Sequence, residues 1–340
     1  MQAFVDSTNK VDKGATLKKR MDRNGYLYIR GLLPRQQLEE LRLKWLKILE
    51  EAGWLTNGTA LEEGIPNLEA FCVEPELSYM KVMTRVYSLI EFQAINHHPN
   101  LIALVESLLG GTILAHPRLI GRTLFPQKTE YTTPPHQDWV PIQGTTETYT
   151  AWIAMSDLTP EMGGLQLSTG SHKGGIYDFQ PALGAGGMEV TATLDGKWVH
   201  TPVKQGDVIF FHSLMVHKGV ANTGDRFRLS IDARFQRVDA PIAPGSLEPH
   251  GNEVRNWEKV YTAWPANSKL KYYWQQYSLN VKAFDPSFVE KRDRLGLEMA
   301  TAGDPRARSV LQRIVTRDND PAKRAQAADL LAKLDTLLNE

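Results

Sequence analysis

The sequence has 340 residues, with 39 basic and 39 acidic side chains and a formal net charge of zero. This balance gives no electrostatic reason to expect a nucleic acid or an anionic membrane as the partner. We find no run of about 18 apolar residues that would predict a membrane-spanning helix. The N-terminal residues lack the apolar core of a secretory signal. The single cysteine, Cys72, excludes an internal disulfide and favours a cytoplasmic location.

The N-terminal third of the chain predicts mainly helices. Asn24-Gly25 is a turn signal between a short helix and a strand, and apolar residues at helical spacing follow Pro34. Beyond the short helix, we expect a strand over 26–30 and helices over 33–52, 80–92 and 100–109. Residues 16–111 are therefore assigned to an N-terminal helical layer. The Gly- and Pro-containing loop 53–80 is a candidate lid.

From residue 112 the pattern changes to short β-forming runs separated by Gly, Pro and Asp. Such a succession of short strands and turn signals is typical of an all-β sandwich or barrel. Helices first and strands later predict a β core, over residues 112–238, with a helical layer against it. The expected strands are 112–115, 119–125, 149–155, 164–167, 187–193, 199–203, 207–211 and 227–235.

The C-terminal part, residues 239–340, predicts an aromatic segment followed by two amphipathic helices. The aromatic residues of 239–275, Trp257 and Trp264 among them, either pack over the barrel mouth or form a lid or substrate wall. If they form a substrate wall, replacing either Trp with Ala would impair turnover and spare co-substrate binding. The apolar stripe of the last helices packs on the N-terminal helices or forms a homodimer. We expect residues 1–340 to be a single catalytic domain.

His136-Gln137-Asp138 is the first motif that predicts chemistry. In a strand, side chains two residues apart point the same way, so His136 and Asp138 would present an imidazole and a carboxylate to one point. A distant histidine would complete the two-histidine, one-carboxylate triad of non-haem Fe(II) oxygenases. His212 and His217 are both candidates, and on one regular strand they would face opposite ways.

The segment after these histidines, residues 226–235, alternates cleanly between polar and apolar residues. Arg226, Arg228, Ser230, Asp232 and Arg234 share one face of the predicted strand. This face either meets solvent at a sheet edge or lines a polar cavity. In a cavity, an arginine would suit a carboxylate ligand because its planar guanidinium forms two parallel hydrogen bonds to it.

The order of these motifs resembles the phytanoyl-CoA dioxygenase family of Fe(II)- and 2-oxoglutarate-dependent oxygenases. The resemblance is carried, from about residue 20 to 236, by His136-Gln137-Asp138, Trp152 to Asp157, Gly163-Gly164 to His172, Gly206-Asp207, His217 and Arg228. It implies a mainly β, mixed α+β fold with a double-stranded β-helix (jelly-roll, cupin-like) core, N-terminal helices and a C-terminal helical extension.

The resemblance also implies residue roles. His136, Asp138 and His217 match the iron ligands, and the family spacing favours His217 over His212. Arg228 matches the arginine that holds the distal carboxylate of 2-oxoglutarate. Three further residues match positions that line or assist the co-substrate: Gln137, Trp152 and Ser230. Lys218-Gly219 departs from the small residue and serine that follow the distal histidine in many relatives, so no hydroxyl contact is expected there.

The implied function is oxidation of an unactivated C–H bond of a small-molecule metabolite by Fe(II), 2-oxoglutarate and O2, with release of succinate and CO2. Hydroxylation is the leading reaction, and desaturation, epimerisation and cyclisation share the same cofactors. A catalytically inactive metal-binding jelly roll and a peptide or protein hydroxylase are the alternatives. The resemblance does not fix the substrate, and the sequence shows no convincing basic cluster for an acyl-CoA.

Overall fold

A computed structural model describes residues 2–194, 196–251 and 255–339. Its helices are α1 Gly14–Asn24, α2 Arg35–Glu51, α3 Leu77–Tyr87, α4 Ile90–Ala94, α5 Pro99–Leu109, α6 Trp139–Ile142, α7 Trp257–Val260, α8 Ser287–Thr301, α9 Arg308–Arg317 and α10 Pro321–Asn339. Its strands are β1 Tyr26–Ile29, β2 Ile113–Ala115, β3 Ile120–Leu124, β4 Tyr149–Ala154, β5 Gly164–Ser168, β6 Phe179–Pro181, β7 Met188–Val190, β8 Trp198–Val199, β9 Val208–His212, β10 His217–Val220 and β11 Arg228–Arg237.

The strands form a large and a small antiparallel sheet, with β6 and β7 paired as a separate hairpin. The large sheet has the order β1-β9-β4-β11-β2, and β3 pairs with the other end of β11. The small sheet has the order β10-β5-β8. These sheets and their helices confirm the predicted mixed α+β class. The strand β1, which precedes the N-terminal helices α2 to α5, is an edge strand of the large sheet.

The two faces of the large sheet bury different cores. One face packs on the N-terminal helices, where the stripe of α2 (Leu38, Leu41, Trp45, Leu49) is fully buried. The other face packs on the small sheet through Trp152 and Phe211 on one side and Leu165 and Leu167 on the other. Alternating side chains of the central strands serve both cores, which explains why these strands are buried along their whole length.

The turn at Asn24-Gly25 forms as expected. Gly25 closes α1 in the left-handed conformation, with φ of 82°, and donates its N–H to the carbonyl of Met21. This turn directs the chain into β1, which pairs with β9 in register Tyr26 to Phe211. The predicted strand at 26–30 is thereby confirmed.

The C-terminal helices pack on one another. Val310, Leu311 and Ile314 of α9 are buried against residues of α8 and α10 such as Ala300 and Ala327. Helix α8 is a third helix in this part of the chain, in addition to the two expected from the sequence. Within the expected apolar stripe, five residues are buried inside the chain and Leu330 and Leu331 are partly buried, while the side chain of Leu338 lies outside the described part of the structure. Among the described residues, none of the helices combines the length and apolarity that crossing a bilayer requires.

Candidate metal centre and its cavities

His136 and His217 are joined by a narrow antiparallel bridge. Each backbone N–H donates to the carbonyl of the other residue, at 2.9 and 3.0 Å. The bridge holds the two imidazole ring centres 4.1 Å apart. It also extends the small sheet, because His217 begins β10, which pairs with β5. The two histidines are therefore fixed by backbone pairing and do not depend on flexible loops.

Asp138 contributes its carboxylate to the same site from a helical turn, and not from the strand that the sequence predicted. Its backbone is helical (φ −63°, ψ −31°) and immediately precedes α6, so the alternation of a regular strand does not apply. The turn nevertheless places Asp138 Oδ1 3.8 Å from Nε2 of both His136 and His217. The ligand atoms of the three residues lie within 4.8 Å of one another, and no second such cluster occurs in the described ranges.

The orientation of the two imidazoles suits a metal ion. Nδ1 of His136 lies 2.8 Å from the carbonyl of Pro134, and Nδ1 of His217 lies 3.0 Å from that of Met215. Because a carbonyl can only accept, these contacts place the proton on Nδ1 and leave the Nε2 lone pair facing Asp138. Two imidazole nitrogens and one carboxylate oxygen form the donor set of non-haem Fe(II) sites.

The second carboxylate oxygen of Asp138 is held from the large sheet. Oδ2 accepts a hydrogen bond from the Thr150 hydroxyl at 2.6 Å and from Nε and Nη2 of Arg234 at 3.3 and 3.2 Å. Thr150 and Arg234 are directly opposite each other in the β4–β11 pairing. These contacts fix the carboxylate plane and leave Oδ1 for the histidine side. Neither residue was identified from the sequence as part of the site.

Burial and neighbouring charges set the protonation states of the triad. Burial, and then the proximity of His217, lowers the pKa of His136 to about 3. Burial also lowers the pKa of His217. Burial alone would raise the pKa of Asp138, but Arg234 and the two histidines hold it below its usual range. At neutral pH the site therefore offers neutral imidazoles and an ionised carboxylate, the states required of metal ligands.

Arg228 lies in a buried pocket beside the triad. The pocket is enclosed by both sheets and includes His136, His217 and Trp152 in its wall. Arg228 is 3 % exposed and donates through Nη1 to the carbonyls of Met162 and Val220, while its Nε has no hydrogen-bond partner in the described structure. Burial and the charge of Arg122 lower its pKa to about 10. A guanidinium in this state would gain from an anionic ligand.

Two of the three other residues predicted to line or assist the co-substrate lie in the wall of the Arg228 pocket, and the third does not. Ser230 and Trp152 line the Arg228 pocket. Gln137 points elsewhere: its amide donates to the carbonyls of Gly175 and Leu214 and accepts from the N–H of Tyr177. Gln137 thus connects two loops beside the histidines and is absent from the wall of that pocket.

The sequence left two choices open, His212 or His217 as the third ligand and a polar β11 face in solvent or in a cavity, and the positions of these side chains distinguish them. His212 lies outside the triad; its Nε2 is 3.4 Å from Glu147, and its ring packs on His172. Arg226 is half exposed and pairs with Asp225 on the surface. The alternation of β11 does hold, since Arg228, Ser230 and Asp232 line the pocket and Arg234 reaches Asp138.

A second cavity, of about 290 Å³, opens on the other side of His136 and Asp138. Its apolar wall includes Val140 of α6, Met188 of β7 and Phe288 of α8. A larger groove of about 840 Å³ lies elsewhere, between α2 and residues 223–229, and contains none of the triad. A substrate must lie next to the triad to react there. We therefore take the 290 Å³ cavity, whose wall includes His136 and Asp138, as the candidate substrate site.

Fold, triad and buried arginine together define a non-haem iron oxygenase of the 2-oxoglutarate-dependent class. The family model for phytanoyl-CoA dioxygenase (PhyH) matches residues 21–230. The chain therefore belongs to the phytanoyl-CoA dioxygenase family.

Individual relatives are distant. The chain is 25 % identical over 276 residues to 1-deoxypentalenic acid 11-beta-hydroxylase of Streptomyces exfoliatus, covering 75 % of this chain and 93 % of that protein. It is 24 % identical over 254 residues to human peroxisomal phytanoyl-CoA dioxygenase, covering 71 % and 72 %. Among solved structures, the non-haem alpha ketoglutarate dependent carbocyclase SnoK of nogalamycin biosynthesis superposes with a TM-score of 0.50 at 20 % identity, covering 74 % and 95 %. This structural likeness supports the fold.

Proposed function

We propose that His136, Asp138 and His217 bind Fe(II), that Arg228 binds the distal carboxylate of 2-oxoglutarate, and that the enzyme oxidises a C–H bond of a small-molecule metabolite. The observation that carries this proposal is the convergence of two Nε2 atoms and Asp138 Oδ1 on one buried point. When bound, iron with 2-oxoglutarate and O2 supplies the oxidation, and succinate and CO2 are released.

The protein's own part is to hold and orient the reactants. The carbonyls of Pro134 and Met215 keep the imidazoles in one tautomer, while Thr150 and Arg234 keep the Asp138 carboxylate in one plane. Arg228 provides the charge that fixes the far end of the co-substrate, and Trp152 forms an apolar wall beside it. The cavity on the Val140 side would receive the substrate.

Succinate formation tests this assignment. Wild type supplied with Fe(II), 2-oxoglutarate and O2 should release succinate slowly without substrate, and a chelator should stop it. His217→Ala should abolish the reaction because it removes one ligand. His212→Gln is the matched control, since His212 lies outside the triad, and should retain the rate. Absence of succinate from folded, iron-loaded wild type would refute the proposal, as would equal loss in both variants.

A cytoplasmic location is proposed from cysteine use. Cys72 is buried and unpaired, and burial raises the pKa of its thiol to about 12. A single protected thiol is compatible with a reducing compartment and provides no disulfide for an oxidising one. Fractionation of the source cells, with the protein found in the cytosolic fraction, would support this location.

The homodimer expected from the terminal helices also remains a proposal. Because the apolar residues of α9 pack within the chain, a dimer formed through the terminal helices would use the outer surfaces of α8 and α10. Sedimentation velocity of the full chain distinguishes a dimer from a monomer.

A further inference from the structure

The C-terminal helices contribute a group of arginines to the cavity beside the triad. Arg292 comes from α8, and Arg313 and Arg317 come from α9. Arg118, Arg122 and Arg234 reach the same cavity from the β core. These segments are far apart in the sequence, which explains why no basic cluster was visible there. All three helical arginines lie beyond residue 230, where the family match ends.

Five of these arginines have partners: Arg118 and Arg317 are both engaged in contacts, and the other three pair with acids. Arg234 contacts Asp138, Arg122 contacts Asp232 and Glu74, and Arg292 contacts Asp293 at 2.6 Å. Among the described residues, the cavity wall contains six arginines and two carboxylates, those of Glu74 and Asp138. Asp138 is assigned to the metal, whose own charge adds to the positive total. The cavity therefore favours an anion.

Arg313 differs from these three because it is buried without an acid. It is 3 % exposed, and its Nη1 donates to the carbonyl of Ser309 in its own helix. Its Nη2 has no hydrogen-bond partner, and none of the ion pairs within 4.0 Å among the described residues includes Arg313. Glu74, the acid whose charge acts on it, is already held by Arg122 and His250.

The surroundings of Arg313 make an unpaired charge costly. Burial lowers the pKa of Arg313 to about 9, and the charges of Arg317, Arg292 and Arg122 act in the same direction against the opposing effect of Glu74. A buried, unpaired guanidinium destabilises a fold unless something else satisfies it. Gly187, with φ of 67°, leaves room for the group, since a Cβ there would lie 3.0 Å from Nη1.

We propose that Arg313 binds the carboxylate of the substrate, and that the substrate is a compact organic acid with an apolar skeleton. The proposal deepens the proposed function and rests on it. Arg313 offers a single guanidinium without an acid, and this one positive charge matches a carboxylate better than a phosphate. Val140, Met188 and Phe288 surround the apolar part. The volume of about 290 Å³ is small for a ligand site and suits a metabolite.

Binding measurements on the full chain test this assignment. The protein is loaded with nickel(II) and saturating 2-oxoglutarate, so that no turnover occurs and the Arg228 pocket is filled. The probes are phenylalkanoic acids of increasing chain length, their methyl esters and the corresponding phenylalkyl phosphates, and binding is followed by ligand-observed NMR. We expect at least one acid to bind about tenfold more tightly than its ester, a difference of about 1.4 kcal/mol.

Arg313→Met should erase the preference for the acid, and Arg294→Met, an exposed control on α8, should retain it. Any one of four results would overturn the proposal. They are failure of every acid to bind, equal binding of acids and esters, a preference for phosphates, and an acid preference that Arg313→Met retains. Binding of 2-oxoglutarate to the nickel-loaded wild type is measured separately. If 2-oxoglutarate does not bind, the proposed function fails; if it binds and no acid preference is found, only the role of Arg313 fails.

Thermal unfolding of the ligand-free protein separates a binding role from a structural one. If Arg313 is kept for a ligand, Arg313→Met removes an unpaired buried charge and should raise the Tm. If Arg313 instead supports the packing of α9, the same substitution should lower the Tm, and that result would contradict the proposal.

Discussion

Arg234 donates from both Nε and Nη2 to Oδ2 of Asp138, so an arginine of the central strand β11 supports a residue on the turn before α6. Both side chains are buried. The contact orients the carboxylate, and it also neutralises Asp138 while no metal is bound. Arg234 is therefore both a positioning residue and a stabilising one.

Arg234→Met should strongly destabilise the metal-free protein. The substitution leaves the Asp138 charge buried with only the Thr150 hydroxyl as a direct donor, and breaking a buried pair in this way costs about 3–5 kcal/mol. Urea unfolding should show this loss, and added nickel(II) should recover part of it because the cation replaces the missing charge. An equal loss with and without metal would show that Arg234 does not act by neutralising Asp138.

Thr150→Val should weaken metal binding while preserving the fold. The two side chains have nearly the same shape, but valine cannot donate to Asp138 Oδ2. Loss of such an outer contact typically reduces metal affinity about 10–100-fold. Competition with a chelating dye measures the affinity. Thr148→Val is the matched control, because the Thr148 hydroxyl donates to the carbonyl of Thr145 and does not contact the triad.

Arg228→Gln should weaken 2-oxoglutarate binding and leave iron binding intact. Removing one partner of a buried charge pair costs about 2–5 kcal/mol, so the KM for 2-oxoglutarate should rise steeply. The half-exposed Arg226 provides the control variant Arg226→Gln, which should behave as wild type. An unchanged KM in Arg228→Gln would remove Arg228 from the co-substrate site.

Trp257→Ala should lower the free energy of unfolding and should not act selectively on substrate turnover. Trp257 is buried among Tyr261 and Trp274, donates its indole N–H to the carbonyl of Leu247, and lines neither cavity at the triad. Truncation of a buried Trp costs about 3–5 kcal/mol, which chemical denaturation would reveal. A selective loss of substrate turnover with unchanged stability would instead support the substrate-wall role considered from the sequence.

Much of the site could be predicted because its key residues follow short-range rules. The period-two alternation of β11 placed Arg228, Ser230 and Asp232 on one face, and the structure shows them lining one pocket. The spacing of His136 and Asp138 indicated a shared ligand point, although a turn into α6 and not a strand brings them together. Their convergence with His217 depends on a backbone bridge between distant segments. The sequence does not reveal this bridge, so His217 was assigned from the family resemblance.

The remaining residues could not be predicted because their roles depend on long-range register. Thr150 and Arg234 meet Asp138 only because β4 and β11 pair in one register. Arg313 looked like a charge on an amphipathic helix, and only the packing of α9 against α8 buries it. Helix α8 itself is rich in charged residues, which obscured its apolar stripe.

Visible absorption of the protein under anaerobic conditions, during titration with Fe(II) and 2-oxoglutarate, tests directly whether the triad and Arg228 bind iron and the co-substrate. We expect a metal-to-ligand charge-transfer band in wild type and its absence in His136→Ala, and Arg228→Gln should require more 2-oxoglutarate to reach the same intensity. Folded, metal-loaded wild type that shows no such band at any 2-oxoglutarate concentration would contradict this assignment.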